Sequence, residues 1–381
     1  MLQEFLEAKP LYYTEIDYAR MPRAYESIKE KLHLPKTIHI IGTNGKGTTG
    51  RFLATALHRS GAKVLHYTSP HILEFNERIW LNGENINDEK LESCHLELQK
   101  LLDQEFIDSL SYFEYTTFLA VLAAQGCDYM LLEAGLGGEY DATAVFEKCL
   151  TLVTPIDKDH EAFLGETIEE IARTKLNAVQ NRAILAEQKH QEVYQVAAEL
   201  IEKKALVIKK VQEYIDADDQ KKIEEIAKQN SLAEHFVANL TLSIAALKEL
   251  GVEYQKSHFK DAKLFGRLTK IDENILVDVG HNTLAAESIL KTLKGSKYTL
   301  VYNSYKDKNY KQILEILKPI IKEVLIIDVA DERIEERSIL LETFKELAIP
   351  YGDFQELESS RSYLVFGSFS VVEAFLKVYR G

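Results

Sequence analysis

Along the chain, short runs of Val, Ile and Leu with few polar interruptions recur, and between them apolar residues return every three to four positions. Runs this apolar suit strands buried on both faces of a parallel sheet. The intervening period of about 3.6 suits helices. The runs predict strands over 37–42 (TIHIIG), 63–69 (KVLHYTS), 129–135 (YMLLEAG), 150–156 (LTLVTPI) and 182–187 (RAILAE). Later ones fall at 275–280, 298–303, 323–328 and 363–368, and helical periodicity is clear over 49–60 and 168–179. Strand alternating with helix predicts a doubly wound α/β fold.

A helical stretch over 232–250 and a polar connection come before DAKLFGR (261–267), after which a fresh strand–helix alternation starts. Two domains are therefore expected, 1–262 and 266–381, the second an α/β, Rossmann-like unit still large enough for its own core. The polar tract at 214–230 reads as a solvated helix with its entry loop. There is no internal repeat and no low-complexity segment.

Charge narrows the partners. With 46 Lys+Arg against 60 Asp+Glu the chain carries −14, which repels nucleic acid and anionic membranes. An anionic ligand must then be met by a local device such as a helix N-terminus or a metal ion. Apolar residues at 46% and charged ones at 28% are ordinary for a soluble globular protein. Cys94, Cys127 and Cys149 show no CxxC or Cys/His grouping and are expected to be buried, reduced thiols. The first residues are acidic where a secretory signal would be basic and then apolar. The apolar run at 118–124 is far shorter than the ~20 residues of a membrane span. The expected location is the cytoplasm.

The strongest chemical signal is IHIIGTNGKGTT at 38–49: strand, glycine-rich turn, helix. Gly42, Gly45 and Gly47 permit close backbone approach. N–H groups at the new helix N-terminus point at an anion, and Lys46 adds a positive charge. This is phosphate-loop logic, although the strict GxxxxGK[ST] spacing is not met: position 40 is Ile, and Gly47 separates Lys46 from Thr48. Ser69, Glu133 and His160 each lie at or just past a predicted strand's carboxyl end, the edge where open α/β sheets bind ligands. Ser69 and Glu133 offer the oxygen ligands that Mg²⁺ takes, and His160 is an unusual third partner. Each alone would be an ordinary strand-end polar residue; their shared edge with the loop singles them out.

In order along the chain stand GTNGKGTT, YTSPHI…ER, YFEYTT, LLEAGLGG-x-x-DAT and DH-x-x-x-LG-x-T-x-x-x-IA-x-x-K. Asn239 in a helical stretch, FGR, DVGHN, DKN and FGSF follow. This series resembles the folylpolyglutamate synthase/dihydrofolate synthase family, within the Mur ligase superfamily. The resemblance implies a P-loop-containing sheet domain that binds ATP, metal and pterin, then a C-terminal domain that closes over ATP and binds glutamate. It also implies a monomeric ATP-dependent ligase joining L-glutamate to dihydropteroate, and to tetrahydrofolate, through an acyl phosphate.

Carried over residue by residue, Thr43, Asn44, Gly45, Lys46, Gly47 and Thr48 would cradle the triphosphate, with Asn239, Arg267, Asp278 and His281 also on ATP. Ser69, Glu133 and His160 would hold one or two Mg²⁺, with a monovalent cation as a further partner. Lys46, Lys175 and His160 form the implied catalytic set, and Lys175 matches the lysine that the family carbamylates. A pterin surface would come from Ile16, Asp17 and Tyr18, from Ser111, Tyr112, Phe113 and Glu114, and from Tyr140, Asp141 and Ala142. Phe113 is a ring that could stack on a flat heterocycle.

The chain departs from the family pattern at several points. GG-R-(L/F)-DATN reads GGEYDATA, so Glu139 replaces an arginine and Ala144 an asparagine. EKAG reads TKLN (174–177), PGR reads FGR with Phe265, and Thr283 follows GHN. The Glu139 change reverses a charge near the expected acceptor site. Three other readings stay open: a polyglutamylating ligase without the dihydropteroate activity, a P-loop phosphotransferase or NTPase switch, and a non-catalytic nucleotide-binding module. A muramyl-peptide ligase fits poorly, since about 36 residues precede the first strand where a UDP-binding domain is expected.

Overall fold

The computed structural model describes residues 2–9 and 17–380. The chain divides into two units: one comprises 1–232 and 236–262, the other 233–235 and 263–381.

The first unit is built on eight strands: β1 (Lys36–Ile41), β2 (Val64–Tyr67), β3 (Ile79–Leu81), β4 (Glu84–Asn85), β5 (Tyr129–Glu133), β6 (Leu150–Val153), β7 (Arg182–Leu185) and β8 (Val207–Lys210). They lie in the order β4-β3-β2-β5-β1-β6-β7-β8. The β2–β3 and β3–β4 pairs are antiparallel and the rest parallel, so the sheet is mixed at one end. Buried Val, Ile and Leu line β1, β5 and β6 with helices packed on both faces, which is why these three strands are legible as apolar runs with few polar interruptions. β1 lies between β5 and β6, so the loops leaving all three emerge side by side. The chain's one tryptophan, Trp80 on β3, has the Arg51 guanidinium 5.0 Å from its ring, and His58 sits edge-on to it. Both residues belong to the helix Lys46–Arg59.

In the second unit, β9 (Thr269–Asp272), β10 (Ile275–Asp278), β11 (Tyr298–Tyr302), β12 (Ile321–Ile326), β13 (Tyr351–Asp353) and β14 (Tyr363–Phe366) run in the order β13-β12-β11-β14-β10-β9. Only the β9–β10 pair is antiparallel.

Five strands escape the apolar-run reading: β3, β4, β8, β9 and β13. All are short, and β4, β8, β9 and β13 are mostly exposed or half-buried, so their sequences need no apolar run. The tract at 214–230 does hold a helix (Ala217–Gln229), but Ile223, Ile226 and Asp219 on it are buried. Of the cysteines only Cys94 is buried; Cys127 and Cys149 are half-buried, and all three are free thiols. No helix among the described residues is long and apolar enough to cross a membrane.

Candidate active site

The turn after β1 is shaped by positive backbone angles. Gly42 has φ +137°, and a Cβ there would stand 2.0 Å from Thr154 Oγ1. Gly45 has φ +88°, and its added Cβ would meet Asn239 Oδ1 at 2.4 Å, so Asn239 packs directly against the loop. Gly45 occupies the N-cap position of the helix Lys46–Arg59, and no side chain caps that end. Backbone N–H groups at such an end, with the helix dipole behind them, attract an anion. Lys46 folds over the turn, donating to the carbonyls of Gly42 (3.3 Å) and Thr43 (3.2 Å). Its nitrogen is 4.0 Å from Glu133 Oε1 at the end of β5, and both side chains are largely buried.

Lys175 reaches the same turn from another element. A capping box between Thr167 and Glu170 starts the helix Ile168–Leu176 and aims its last turn at the loop. Lys175, only 5% exposed, donates to the Gly42 carbonyl at 3.0 Å. Burial drives its ammonium down to about 7, the Lys46 charge adds to the effect, and Asp159 and Asp141 oppose it.

The metal candidates are placed less uniformly. Ser69 is half-buried two residues beyond β2, and Glu133 is buried at the end of β5. His160 has φ +54° at the start of the helical turn Glu161–Leu164, and its side chain is 40% exposed with Nε2 3.9 Å from Asp159 Oδ2. No cluster of three or more His, Cys, Asp or Glu side chains suited to a metal occurs among the described residues. Magnesium held mainly by phosphate oxygens and water needs only one or two protein oxygens, and Glu133 with the Ser69 hydroxyl is that kind of donor set. An imidazole is a poor match for it.

Of the acceptor candidates, Ile16 lies outside the described residues. Asp17 accepts from the Ala19 N–H and pairs with Arg23. Tyr18 and Tyr140 are 55% and 60% exposed, and their ring centroids are 4.6 Å apart. Ser111 caps the helix Tyr112–Ala123, with Glu114 completing the capping box while pairing with Arg20 at 2.8 Å. Tyr112 faces the Arg78 guanidinium, and Phe113 stacks on Tyr67 at 5.8 Å. Asp141 accepts from the N–H groups of Gly135, Leu136 and Thr143 and from the Thr143 hydroxyl, and His39 Nε2 contacts that hydroxyl at 2.8 Å. The Glu114 and Asp141 carboxylates therefore hold the chain in shape, whereas the two tyrosines touch each other and are otherwise more than half exposed. Ala142 is buried beside them in sequence.

Glu139 and Asn177, two of the departures from the family pattern, touch: Asn177 Nδ2 donates to Glu139 Oε2 at 2.8 Å. In the second unit, Asp278 accepts from the Leu268 and Gly280 N–H groups at 2.7 Å. Burial raises its pKa, and the Arg267 charge opposes that rise. Arg267 lies 5.2 Å from the Phe369 ring, and His281 Nδ1 meets the Val279 carbonyl at 3.1 Å. Sequence reasoning missed Gln188 and His190, which follow β7 and hold the loop after β6, because nothing local marks a contact with residues some 30 positions away.

No protein-family model matches the chain. Among curated proteins it is 31% identical to a Bacillus subtilis dihydrofolate synthase/folylpolyglutamate synthase, over 75% of this chain and 74% of that one. It is 30% identical to the Haemophilus influenzae protein of the same name, over 93% and 92%. Among solved structures, Helicobacter pylori folylpolyglutamate synthetase is 39% identical with a TM-score of 0.81, covering 100% of this chain and 98% of that one. Escherichia coli FolC in complex with DHPP and ADP, at 24% identity and TM-score 0.82, covers 100% and 97%. A Yersinia pestis bifunctional enzyme complexed with AMPPNP and Mn ion, at 22% and 0.80, covers 100% and 97%. These last two share the fold.

Proposed function

This chain belongs to the dihydrofolate synthase/folylpolyglutamate synthase family, and we propose that it joins L-glutamate to dihydropteroate and to tetrahydrofolate at the cost of ATP. It is an ATP-dependent carboxylate–amine ligase. The observation that carries the reading is the convergence of Lys46, Lys175 and Glu133 on the turn after β1.

A carboxylate acylates an amine poorly because its oxygen is a poor leaving group. Transfer of the γ-phosphoryl group makes an acyl phosphate; the glutamate nitrogen attacks its carbonyl carbon, the C–O bond to phosphate breaks, and phosphate departs. Two anions must approach for the first step, so the chemistry is mainly positioning and charge neutralisation. The residues 43–48 are assigned to hold the phosphates, with Lys46 turning from the Gly42 and Thr43 carbonyls to the γ-phosphoryl oxygens. Ser69 and Glu133 are assigned to Mg²⁺, with His160 at the rim; the bound ion would supply further neutralisation of phosphate charge. Lys175 is assigned as the carbamylated residue, because burial near a second cation favours the neutral amine that reacts with carbon dioxide. Asn239, Arg267, Asp278 and His281 are assigned to ATP on the resemblance alone.

Tyr18 and Tyr140, with Asp17, Ser111, Tyr112, Phe113 and Ala142, are assigned to the pterin ring, the exposed tyrosine rings as stacking surfaces and Asp141 and Glu114 as their supports. The enzyme is assigned to the cytoplasm as a monomer, with a monovalent cation as an additional ligand. A second reading, extension of reduced folates only, is favoured by the name of the 39%-identical Helicobacter protein. ADP release measured with dihydropteroate, tetrahydrofolate and its monoglutamylated product, each with and without L-glutamate, decides. Glutamate-dependent ADP with dihydropteroate supports the synthase; its absence beside efficient extension of tetrahydrofolate leaves the second reading.

A further inference from the structure

The loop after β6 (154–160) carries Asp159 and His160, and its backbone is held by side chains that the reaction does not otherwise use. β6 pairs with β7 up to Val153 and Leu185, and the Ala186 N–H donates to the Val153 carbonyl; beyond that point the ladder stops. Buried peptide groups past a sheet edge still need partners. Gln188, only 7% exposed, provides them. Its Oε1 accepts from the Ile156 N–H at 2.9 Å, and its Nε2 donates to the carbonyls of Ala186 (3.0 Å) and Thr154 (3.4 Å). The carboxamide thus prolongs the β6–β7 pairing by one rung beyond the strands.

Two residues on, His190 Nε2 lies 3.0 Å from Asp157 Oδ1. Asp157 in turn grips the phosphate loop through its main chain: its N–H donates to the Thr43 hydroxyl, and that hydroxyl donates to the Asp157 carbonyl, both at 3.0 Å. The Thr43 N–H donates to the Pro155 carbonyl at 2.9 Å. Thr43 is therefore placed by the loop after β6, and that loop is placed by two side chains from the loop after β7.

We propose that Gln188 and His190 are positioning residues for nucleotide binding, a strap that sets the phosphate loop at Thr43 through the segment 154–157. This rests on the assignment of residues 43–48 to the nucleotide phosphates. Preorganised donors matter because an anion bound by a loop that must first be ordered loses the cost of ordering from its affinity. A break in the strap should fall on nucleotide affinity and spare the acceptor, whose assigned surface comes from other elements.

The test uses the full-length chain. Gln188→Glu keeps the acceptor for Ile156 and removes the donor to Thr154 and Ala186; His190→Ala removes the contact from the imidazole and leaves the Asp157 carboxylate with the Lys158 N–H and the Lys189 ammonium; His190→Gln restores an N–H donor to it. ADP with Mg²⁺ is titrated into each by calorimetry, melting midpoints are recorded without ligand, and KM for dihydropteroate is measured separately. Expected are a loss of ADP affinity of about fivefold to thirtyfold in Gln188→Glu and His190→Ala, recovery to within twofold in His190→Gln, and KM for dihydropteroate within twofold of wild type. His190 is a quarter exposed, so its variants carry the test if Gln188→Glu fails to fold. Unchanged ADP affinity in His190→Ala overturns the proposal, as does equal weakening of ADP and dihydropteroate, or no recovery in His190→Gln. If wild-type protein binds ADP but turns over no folate acceptor, the ligase reading fails while the strap remains tested. If it binds no ADP, both fall.

Discussion

The Lys175 side-chain nitrogen lies 3.0 Å from the Gly42 carbonyl oxygen, so a helix in the sixth strand's wake and the turn after the first strand share one hydrogen bond. That contact buries a lysine whose ammonium is further disfavoured by Lys46. Its pKa in the folded protein, about 7, lies below the ~10.4 of an unfolded lysine. Above that unfolded value burial costs nothing in protonation. As pH falls from about 10 to 7 the unfolded chain binds the proton more readily, so the unmodified protein loses stability across that window.

The same shift makes an amine that is mostly neutral at pH 8. Enzyme stripped of carbon dioxide at pH 6 and assayed at pH 8 should regain activity when bicarbonate is added. Lys175→Ala should be inactive and partly rescued by short-chain carboxylates, which restore an anion. Full activity of Lys175→Ala without any carboxylate would remove the residue from the mechanism.

Lys46→Ala should fold normally and turn over about 10²–10³ more slowly, the usual loss for a group that neutralises transition-state charge. Steady-state rates beside a melting curve check this. Activity within threefold of wild type would show that the phosphate charge is met by other groups.

Tyr140→Ala should raise KM for dihydropteroate about fivefold, a stacking loss of ~1 kcal/mol, with little change in melting because the ring is 60% exposed. Phe113→Ala should raise KM and also lower the melting midpoint, since that ring stacks on Tyr67 and a Cβ on Gly135 would reach it at 2.8 Å. Similar melting losses in both variants would contradict the division between an open and a packed ring.

Glu139→Arg should lower KM for triglutamylated tetrahydrofolate relative to that for dihydropteroate, which has no tail for the carboxylate to repel. Asn177 holds that carboxylate in place, so Asn177→Gly should move the ratio in the same direction by a smaller amount. An unchanged ratio in Glu139→Arg would place the tail elsewhere.

What the sequence made legible follows from where apolar side chains are obligatory. β1, β5 and β6 are covered on both faces, so most of their residues are buried and apolar, and the glycine turn after β1 stands out because its backbone angles exclude side chains. β8 (VIKK) and β9 (TKID) sit at sheet edges, where one mixed tetrapeptide serves as well as another. The direction in which a motif side chain points is less legible. Asp141 was expected at the pterin, and the structure spends its carboxylate on three N–H groups and a hydroxyl. Glu114 in the same way closes a helix cap and an ion pair with Arg20. Hydrogen bonds between distant loops, such as those of Gln188, leave no periodicity to detect.

Trp80 gives the protein a built-in optical gauge. It is the chain's only indole, and Arg51 over its ring and His58 at its edge are both carried by the helix whose first residue is Lys46. A cation over an indole face and an imidazole at its edge both alter its excited state, so a small shift of that helix changes the emission of a single, unambiguous fluorophore. If occupancy of the glycine turn shifts that helix, titration of ADP with Mg²⁺ into the unlabelled protein should change the Trp80 emission.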